Sequence, residues 1–269
     1  MERFLAAVVQ TSSGPDRARN LTRTGELVGE AAAKGAQLVV LPEVVAWRGP
    51  RDQEPAHTEP IPGPTSEAMA SLACLHRIVL CAGSWLETAG ERGRSFNTTC
   101  VFGRDGALLA RYRKIHLFDV EIPGQVTVRE SETRAPGAEP TTVETELGTL
   151  GLSICYDLRF PELYRRLARA GAELLVVPSA FTAPTGAAHW DVLVRARAIE
   201  NQCYVLAANQ SGRSPHGFAD YGNSMIVDPW GTVLARAADT EGVVLAEIDR
   251  ERLRRVRREL PSLANARLS

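Results

Sequence analysis

The stretch Gly151-Leu152-Ser153-Ile154-Cys155-Tyr156-Asp157-Leu158-Arg159-Phe160-Pro161-Glu162 organises the chain. An apolar run ends at a cysteine, polar residues follow at once, and a proline stands where a helix would begin. The pattern predicts a strand, a sharp turn and a helix start. A thiol in that turn lies near the free N–H groups of the next helix, which favour a thiolate and can bind an oxyanion. A cysteine in an apolar strand is also commonly a small buried hydrophobe, so this stretch alone leaves both interpretations open.

The composition fits one large α/β unit. The chain has 269 residues, of which 44% are hydrophobic, and we predict a single domain over residues 1–269. A formal net charge of −1 gives no support for a nucleic-acid or membrane partner. No apolar run approaches the roughly 20 residues that span a bilayer. The five cysteines are scattered and never spaced as Cys-x-x-Cys, which argues against a disulfide framework and for a reducing cytoplasm.

The use of basic residues singles out one lysine. Of the 31 lysines and arginines, two are lysines, Lys34 and Lys114, and the other 29 are arginines. In a chain that uses arginine for ordinary positive charge, a lysine indicates a need for a compact, titratable ammonium. Lys34 falls late in a predicted surface helix. Lys114 lies in the motif-like segment Tyr112-Arg113-Lys114-Ile115-His116-Leu117-Phe118-Asp119, and it is the better candidate for a functional role.

Hydrophobic patterning predicts alternating strands and helices. The predicted strands are 4–10, 37–41, 78–86, 96–102, 107–112, 149–155, 173–177, 204–208, 218–228, 232–236 and 242–248, and the predicted helices are 16–34, 65–76, 160–170, 187–201 and 249–258. Residues 46–64 and 119–140 are rich in proline, glycine and polar residues and are predicted to be irregular loops. The two halves of the chain follow a similar outline, which two mixed sheets packed face to face with helices outside would explain.

Three residues suited to nucleophilic catalysis each follow the end of a predicted strand. They are Glu43, Lys114 and Cys155. If the strands are neighbours, the carboxylate can accept the thiol proton, and the ammonium can stabilise the thiolate and an oxyanion. A free cysteine has a pKa of about 8.5 and needs such help at neutral pH. Taken alone, Glu43 would be a solvated loop carboxylate.

Other catalytic arrangements have less support. No histidine has a context that favours a Cys–His pair, and His116 is interpreted as orienting or structural. Gly-x-Ser-x-Gly, Gly-x-Gly-x-x-Gly and Walker loops are absent, and the histidines are too dispersed for a metal site. We therefore expect no metal site, and nucleotide binding has no support.

Three motifs together resemble the nitrilase superfamily of carbon–nitrogen hydrolases. They are Leu41-Pro42-Glu43, Arg113-Lys114-Ile115-His116-Leu117-Phe118 and Ile154-Cys155-Tyr156-Asp157-Leu158-Arg159-Phe160-Pro161-Glu162. The segments 119–124, 178–181 and 185–190 are similar to its Nit branch, which contains deaminated glutathione amidase and ω-amidase. The resemblance implies a four-layer αββα sandwich of two mixed β-sheets, a homodimer or higher oligomer, and no cofactor.

The resemblance also implies roles for individual residues. Cys155 would be the nucleophile, Glu43 the general base, and Lys114 an oxyanion stabiliser together with the backbone N–H of Tyr156. Glu130 would position Lys114 or the substrate amide. A small carboxylate-bearing amide would be hydrolysed through a thioester with release of ammonia. Deaminated glutathione is the preferred substrate. The alternatives are an ω-amidase acting on α-ketoglutaramate or α-ketosuccinamate, and a non-catalytic small-molecule binding module.

Residues that bind the substrate are harder to predict from the sequence. Besides Tyr156, the candidate Arg159 could bind a substrate carboxylate or pair with a structural carboxylate such as Glu162. Phe181 and Thr185 follow another strand end, and they could line the pocket or contact a second subunit.

Overall fold

A computed structural model describes residues 1–88, 93–124, 126–215 and 217–267. The strands and helices within these ranges are β1 (Arg3–Gln10), α1 (Arg17–Ala33), β2 (Ala36–Val40), α2 (Pro64–His76), β3 (Val79–Cys81), β4 (Trp85–Thr88), β5 (Ser95–Phe102), β6 (Leu108–Arg113), β7 (Asp119–Ile122), β8 (Val126–Arg129), β9 (Thr141–Thr145), β10 (Gly148–Leu152), α3 (Pro161–Arg169), β11 (Leu174–Ser179), α4 (Ala183–Asn201), β12 (Tyr204–Asn209), β13 (Ser211–Arg213), β14 (Ala219–Tyr221), β15 (Met225–Val227), β16 (Val233–Arg236), β17 (Gly242–Asp249) and α5 (Arg250–Glu259). Three short 3-10 helices cover Arg51–His57, Glu130–Glu132 and Cys155–Arg159.

Two mixed sheets form the centre of the fold. The first has the strand order β17-β1-β2-β3-β5-β4, with β6 paired to β5, and the second has the order β16-β15-β12-β11-β10-β9. Each sheet contains a parallel trio, β1-β2-β3 in one and β10-β11-β12 in the other, flanked by antiparallel strands. The carboxyl ends of parallel strands lie at one edge, which is where open α/β sheets place their ligands.

Alternation along β1 shows how the layers stack. Phe4, Ala6 and Val8 belong to a large apolar cluster shared with the second sheet, whereas Ala7 and Val9 pack in a separate cluster with α1 and α2. Successive side chains of a strand point to opposite faces, so one face of the first sheet meets the second sheet and the other meets helices. Helices α3 and α4 cover the outer face of the second sheet. The predicted αββα sandwich of two mixed sheets is confirmed.

Some predicted elements differ from the structure. The predicted strand 78–86 is two strands, β3 and β4, because Gly83 has a positive φ of 65° and breaks the extended run. The predicted loop 119–140 contains the hairpin of β7 and β8 (Gln125 lies outside the described residues), and the predicted loop 46–64 contains the first 3-10 helix. The predicted strand 218–228 is two strands in different sheets, and α4 begins four residues earlier than predicted. Within the described residues, no helix is long and apolar enough to cross a membrane.

Candidate active site

Cys155 lies in a sharp turn directly after a central strand. Strand β10 ends at Leu152, and Cys155 is the first residue of a 3-10 turn that leads into α3. Its φ of 48° lies in the left-handed region, which is uncommon for a residue other than glycine. The side chain is buried, and the residue is 7% exposed. Such a conformation persists only where the surroundings enforce it, so the turn holds the thiol in a defined direction.

The Asp157 carboxylate joins the cysteine turn to the segment that carries Lys114. One carboxylate oxygen accepts hydrogen bonds from the backbone N–H of Ile154 at 2.9 Å and from the Tyr112 hydroxyl at 2.7 Å. The other accepts from the backbone N–H of His116 at 3.0 Å and lies 2.7 Å from Nδ1 of that histidine. Asp157 is fully buried. His116 therefore belongs to a structural brace between the two segments, as its orienting interpretation predicted.

Glu43 is held at the junction of the two sheets. Its backbone N–H donates to the Ser179 carbonyl at 3.3 Å, and its carbonyl accepts from Nε2 of Gln210 at 2.8 Å. The next residue, Val44, has a positive φ of 50°, and its N–H donates to Oγ of Ser84 at 3.0 Å. Glu43 is only 4% exposed, so the interpretation as a solvated loop carboxylate is wrong. The carboxyl end of β2 meets the carboxyl end of β11 at this point.

Lys114 lies between two carboxylates. Its Nζ donates to Oε1 of Glu43 at 3.0 Å and to Oε2 of Glu130 at 2.8 Å. Burial disfavours the charged ammonium, but the charges of Glu130 and Glu43 outweigh burial and raise the pKa of Lys114 above its ordinary value. The ammonium is therefore permanently charged at neutral pH. The structure brings Glu43, Lys114, Glu130 and Cys155 together on the wall of one cavity.

Further buried polar residues, which the sequence did not single out, surround this cluster. The Asn97 amide donates to Glu43 at 2.7 Å, and the Arg134 guanidinium donates to Glu130 at 2.5 Å and to Glu54 at 2.7 Å. Arg134 follows Glu130 by four residues, which is the one local signal that could have indicated it. Asn97 and Glu54 carry no local signal, because β5 and the first 3-10 helix approach the site only in the folded chain.

The two carboxylates of the cluster have different surroundings. Burial would raise the pKa of Glu130, but Lys114 and Arg134 overcome it and lower that pKa to about 2. Glu130 also accepts the backbone N–H of Phe118 at 2.7 Å. Within the described residues, the side-chain donors to the Glu43 carboxylate, Asn97 and Lys114, both reach its Oε1 and leave Oε2 without one. Glu130 is thus fully engaged as an anion, whereas Glu43 has an oxygen available for a proton.

The thiol is protonated at rest. Burial raises the pKa of Cys155 well above its ordinary value, the negative charge of Glu43 raises it further, and Lys114 opposes this effect. Glu43 and the thiol line the same cavity. The arrangement therefore favours a thiol that passes its proton to a neighbouring carboxylate over a preformed thiolate.

Two cavities meet at Cys155. The larger encloses about 610 Å³ of open space, including solvent at its mouth, and is lined by Glu43, Lys114 and Glu130 and by five residues of the segment 47–54. The smaller encloses about 210 Å³ on the same measure and is lined by Tyr156, Arg159, Phe181 and Thr185 among others. All four predicted substrate-binding residues therefore line the smaller cavity beside the cysteine.

The contacts of Arg159, Phe181 and Thr185 bear on the alternative roles considered for them, which were pairing with Glu162 for Arg159 and a subunit contact for the other two. Nη1 of Arg159 lies 3.2 Å from Nδ1 of His189, and the guanidinium lies over the rings of Phe181 and Tyr156 at 5.2 and 5.8 Å. No ion pair with Glu162 occurs in the part of the chain that the structure describes. Phe181 and Thr185 are 4% and 8% exposed, and they face the cavity from within the subunit.

Comparison with known proteins identifies the family. Residues 5–258 match the carbon–nitrogen hydrolase family. The chain is 44% identical to a deaminated glutathione amidase of Synechocystis over 266 residues, covering 98% of each chain. It is 42% identical to the omega-amidase NIT2 of Xenopus tropicalis over 261 residues, covering 97% of this chain and 94% of the relative. The crystal structure of Saccharomyces cerevisiae Nit3, a member of branch 10 of the nitrilase superfamily, superposes with a TM-score of 0.88 at 34% identity, covering 97% and 95% of the two chains. The chain belongs to the carbon–nitrogen hydrolase family and is an amidohydrolase of the nitrilase superfamily.

Proposed function

We propose that the protein hydrolyses a small carboxylate-bearing amide through a thioester on Cys155. The observation that supports this most strongly is the burial of one thiol, one carboxylate and one ammonium on the wall of a single cavity, with the ammonium 3.0 Å from the carboxylate. Each of these groups, taken alone, could have a purely structural role. Together they provide a nucleophile, a base and a fixed positive charge beside a cavity, which amide hydrolysis requires.

The first half of the reaction forms the thioester. The Cys155 sulfur attacks the amide carbonyl carbon while Glu43 takes the thiol proton. Negative charge develops on the carbonyl oxygen, and the Lys114 ammonium stabilises it together with the backbone N–H of Tyr156. The C–N bond then breaks, and Glu43 gives its proton to the departing nitrogen. A high pKa of the resting thiol suits this order of steps, because the thiol then gives its proton to Glu43 while the sulfur attacks the carbonyl carbon.

The second half releases the acid. Water enters where the amine has left, Glu43 removes one of its protons, and the hydroxide adds to the thioester carbonyl. Lys114 again stabilises the oxyanion. The C–S bond breaks, and the proton on Glu43 returns to the sulfur. Glu130 is a positioning residue in this scheme, because two cations and a backbone N–H hold it as an anion that fixes the ammonium.

Deaminated glutathione is the substrate that we favour, and the ω-amides α-ketoglutaramate and α-ketosuccinamate are the alternatives. Relatives with both kinds of activity share 40–46% identity with the chain. The two substrates differ in the leaving group. An ω-amide releases ammonia, but the scissile bond of deaminated glutathione is a secondary amide whose leaving group is cysteinylglycine. The expectation of ammonia release therefore applies only to the ω-amides, and the assay must follow the amine product of each substrate.

Arg159 is the residue that we propose for the acyl carboxylate. It lines the smaller cavity, and its contacts are an imidazole nitrogen and two aromatic rings. In the described parts of the chain no carboxylate pairs with this guanidinium, and such a group beside a catalytic thiol is suited to a bidentate carboxylate of the substrate. Tyr156, Phe181 and Thr185 would then enclose the short acyl chain.

Substrate comparison and a nucleophile variant test the proposed function. Specificity constants are measured for deaminated glutathione and α-ketoglutaramate with the unsubstituted protein, and we expect the first to be larger. Cys155→Ala should abolish turnover of both, while Cys203→Ala, at a buried thiol bonded to backbone carbonyls, should retain it. A clear preference for α-ketoglutaramate would reverse the substrate choice. Full turnover by Cys155→Ala would refute the mechanism.

The binding-module alternative makes a different prediction for the same variant. A non-catalytic protein would bind the amide and leave it intact in both the unsubstituted and Cys155→Ala forms. All four proposed catalytic positions are filled by groups with complementary chemistry, which favours the enzyme.

We propose further that the protein acts in the cytoplasm as a homodimer or higher oligomer. Four exposed apolar side chains support a subunit contact around α4 and the β15–β16 turn: Val192, Ile199, Trp230 and Leu234. An exposed apolar group of this kind is typical of protein–protein contacts. Sedimentation velocity of the unsubstituted protein and of Trp230→Asp would measure the predicted assembly and its weakening.

A further inference from the structure

We infer that the larger of the two cavities receives the leaving amine of the substrate and that Arg51 binds a carboxylate carried by that amine. The inference rests on the proposed function. It deepens that function, because it assigns one side of the amide to each cavity and names the substrate class as amides of a carboxylate-bearing amine. We call the larger cavity the amine lobe and the smaller one the acyl lobe.

The position of Glu43 decides which lobe is which. Cys155, Phe118, Ala180 and Thr182 line both lobes, so the nucleophile lies where they meet. Glu43 lines the larger lobe and is not among the residues of the smaller one. The proton on Glu43 must reach the departing nitrogen, and proton transfer requires hydrogen-bond distance. The nitrogen and its substituent therefore extend into the larger lobe, and the acyl chain extends into the smaller one.

The sizes of the lobes agree with this assignment. The amine lobe has about 610 Å³ and the acyl lobe about 210 Å³. These figures include solvent at the mouth of each lobe, so they show only that the amine lobe is the wider of the two. A substituent on the departing nitrogen would extend into this wider lobe, whereas ammonia would occupy little of it. The acyl lobe is suited to a short chain that ends at Arg159.

The arginines on the wall of the amine lobe differ in whether they can bind a substrate carboxylate. Arg48 forms a buried bidentate pair with Asp220, with one contact at 2.9 Å, so its charge is neutralised within the protein. Arg134 is bound between Glu130 and Glu54. These pairs fix the wall but leave no cation for a ligand.

Arg51 is the exception on this wall. Its Nη1 donates to the backbone carbonyl of Arg129 at 2.8 Å, and across the described ranges no carboxylate lies within ion-pair distance of its guanidinium. The nearby Glu54 is already engaged by Arg134 and by the hydroxyl of Thr133 at 2.8 Å. The guanidinium is held at the rim of the lobe by one bond and retains further donors in a planar fork. This geometry is suited to a substrate carboxylate.

Three substrates with one acyl group test the inference. They are deaminated glutathione, its analogue with a C-terminal carboxamide, and α-ketoglutaramate, and the amine product of each is quantified. We expect Arg51→Gln to raise KM for deaminated glutathione about five- to tenfold with kcat within about twofold, as a lost charge-assisted bond predicts. KM for the other two substrates should not change. Arg51→Lys should restore part of the loss, and Arg19→Gln, at an exposed arginine in a different cleft, should behave as the unsubstituted protein.

The outcomes separate this inference from the proposed function. If the unsubstituted protein hydrolyses deaminated glutathione but Arg51→Gln leaves its KM unchanged, or changes KM equally for all three substrates, the role of Arg51 is refuted and the thioester mechanism stands. If only α-ketoglutaramate is hydrolysed, the amine lobe is wrongly assigned although the protein is still an amidase. If none is hydrolysed, the proposed function itself fails.

Discussion

Replacing Lys114 with methionine should lower both the free energy of unfolding and kcat, for two separate physical reasons. The ammonium is 2% exposed and lies 3.0 and 2.8 Å from two buried carboxylates. At an effective dielectric constant of about 20, each contact corresponds to an attraction of about 6 kcal/mol. Desolvation of the three ions opposes much of this attraction, and removal of one member of a buried cluster typically costs about 3–5 kcal/mol. Lys114→Met should therefore lower the free energy of unfolding by about that amount.

The same change should remove the main oxyanion stabiliser. Loss of one such donor reduces kcat by about 10²–10³-fold in other enzymes, and Lys114 is proposed to supply a full positive charge. A defect of at least this size is expected even under conditions where the variant is fully folded. Lys114→Arg keeps the charge, but a planar guanidinium cannot take the place of a compact ammonium between two carboxylates, so kcat should again fall sharply.

A charge-balanced double variant distinguishes the two effects. Lys114→Met combined with Glu43→Gln removes one negative charge together with the positive one, and Glu130 keeps its bond to Arg134. We expect urea unfolding to show that the double variant regains at least half of the lost stability, while turnover remains absent. A single variant that unfolds within about 1 kcal/mol of the unsubstituted protein, or a double variant that regains turnover, would refute this reasoning.

Two further predictions concern groups around the site. The pKa of Glu130 is about 2 in the folded protein and 4.5 ordinarily, so its carboxylate stabilises the fold fully above about pH 5 and loses this effect as the pH falls towards 2. The free energy of unfolding of Glu130→Gln should therefore depend less on pH between 5 and 2. An unchanged dependence on pH would contradict the assignment. Gly83→Ala should destabilise the chain more than Gly171→Ala and should also lower kcat. Both glycines have a positive φ, but a Cβ at Gly83 would lie 2.2 Å from the carbonyl oxygen of Pro42, next to Glu43, whereas one at Gly171 would meet nothing within 4 Å. Equal stabilities and rates for the two alanine variants in urea unfolding and turnover assays would contradict the steric argument.

The sequence by itself determined the secondary structure that carries the main cluster. Short apolar runs closed by proline or a polar turn predicted the strands before Glu43 and Cys155, because a buried parallel strand must be apolar on both faces. The strand before Lys114, β6, was also predicted, but it is antiparallel and largely exposed. The rarity of lysine drew attention to Lys114 for a chemical reason. The motifs around these residues identified the family and, through it, the sandwich of two mixed sheets.

Contacts distant in sequence decided the rest. Asn97, Arg134 and Glu54 lie on segments without motifs, and they meet the cluster only because β5, the Glu130 turn and the first 3-10 helix fold against one another. The hydrophobic pattern also predicted one strand over residues 78–86, which the positive φ of Gly83 divides into two.

The behaviour of Cys155 is the clearest case of the difference between sequence and structure. Its local sequence suggested a thiolate favoured by the next helix, but burial and the charge of Glu43 raise its pKa and keep it protonated. A residue's pKa depends on what surrounds it in space, and a strand end in the sequence does not specify those neighbours. The division of the cleft into two lobes also depends on contacts between segments distant in sequence. The same is true of Arg51, whose guanidinium binds a backbone carbonyl on one of these lobes.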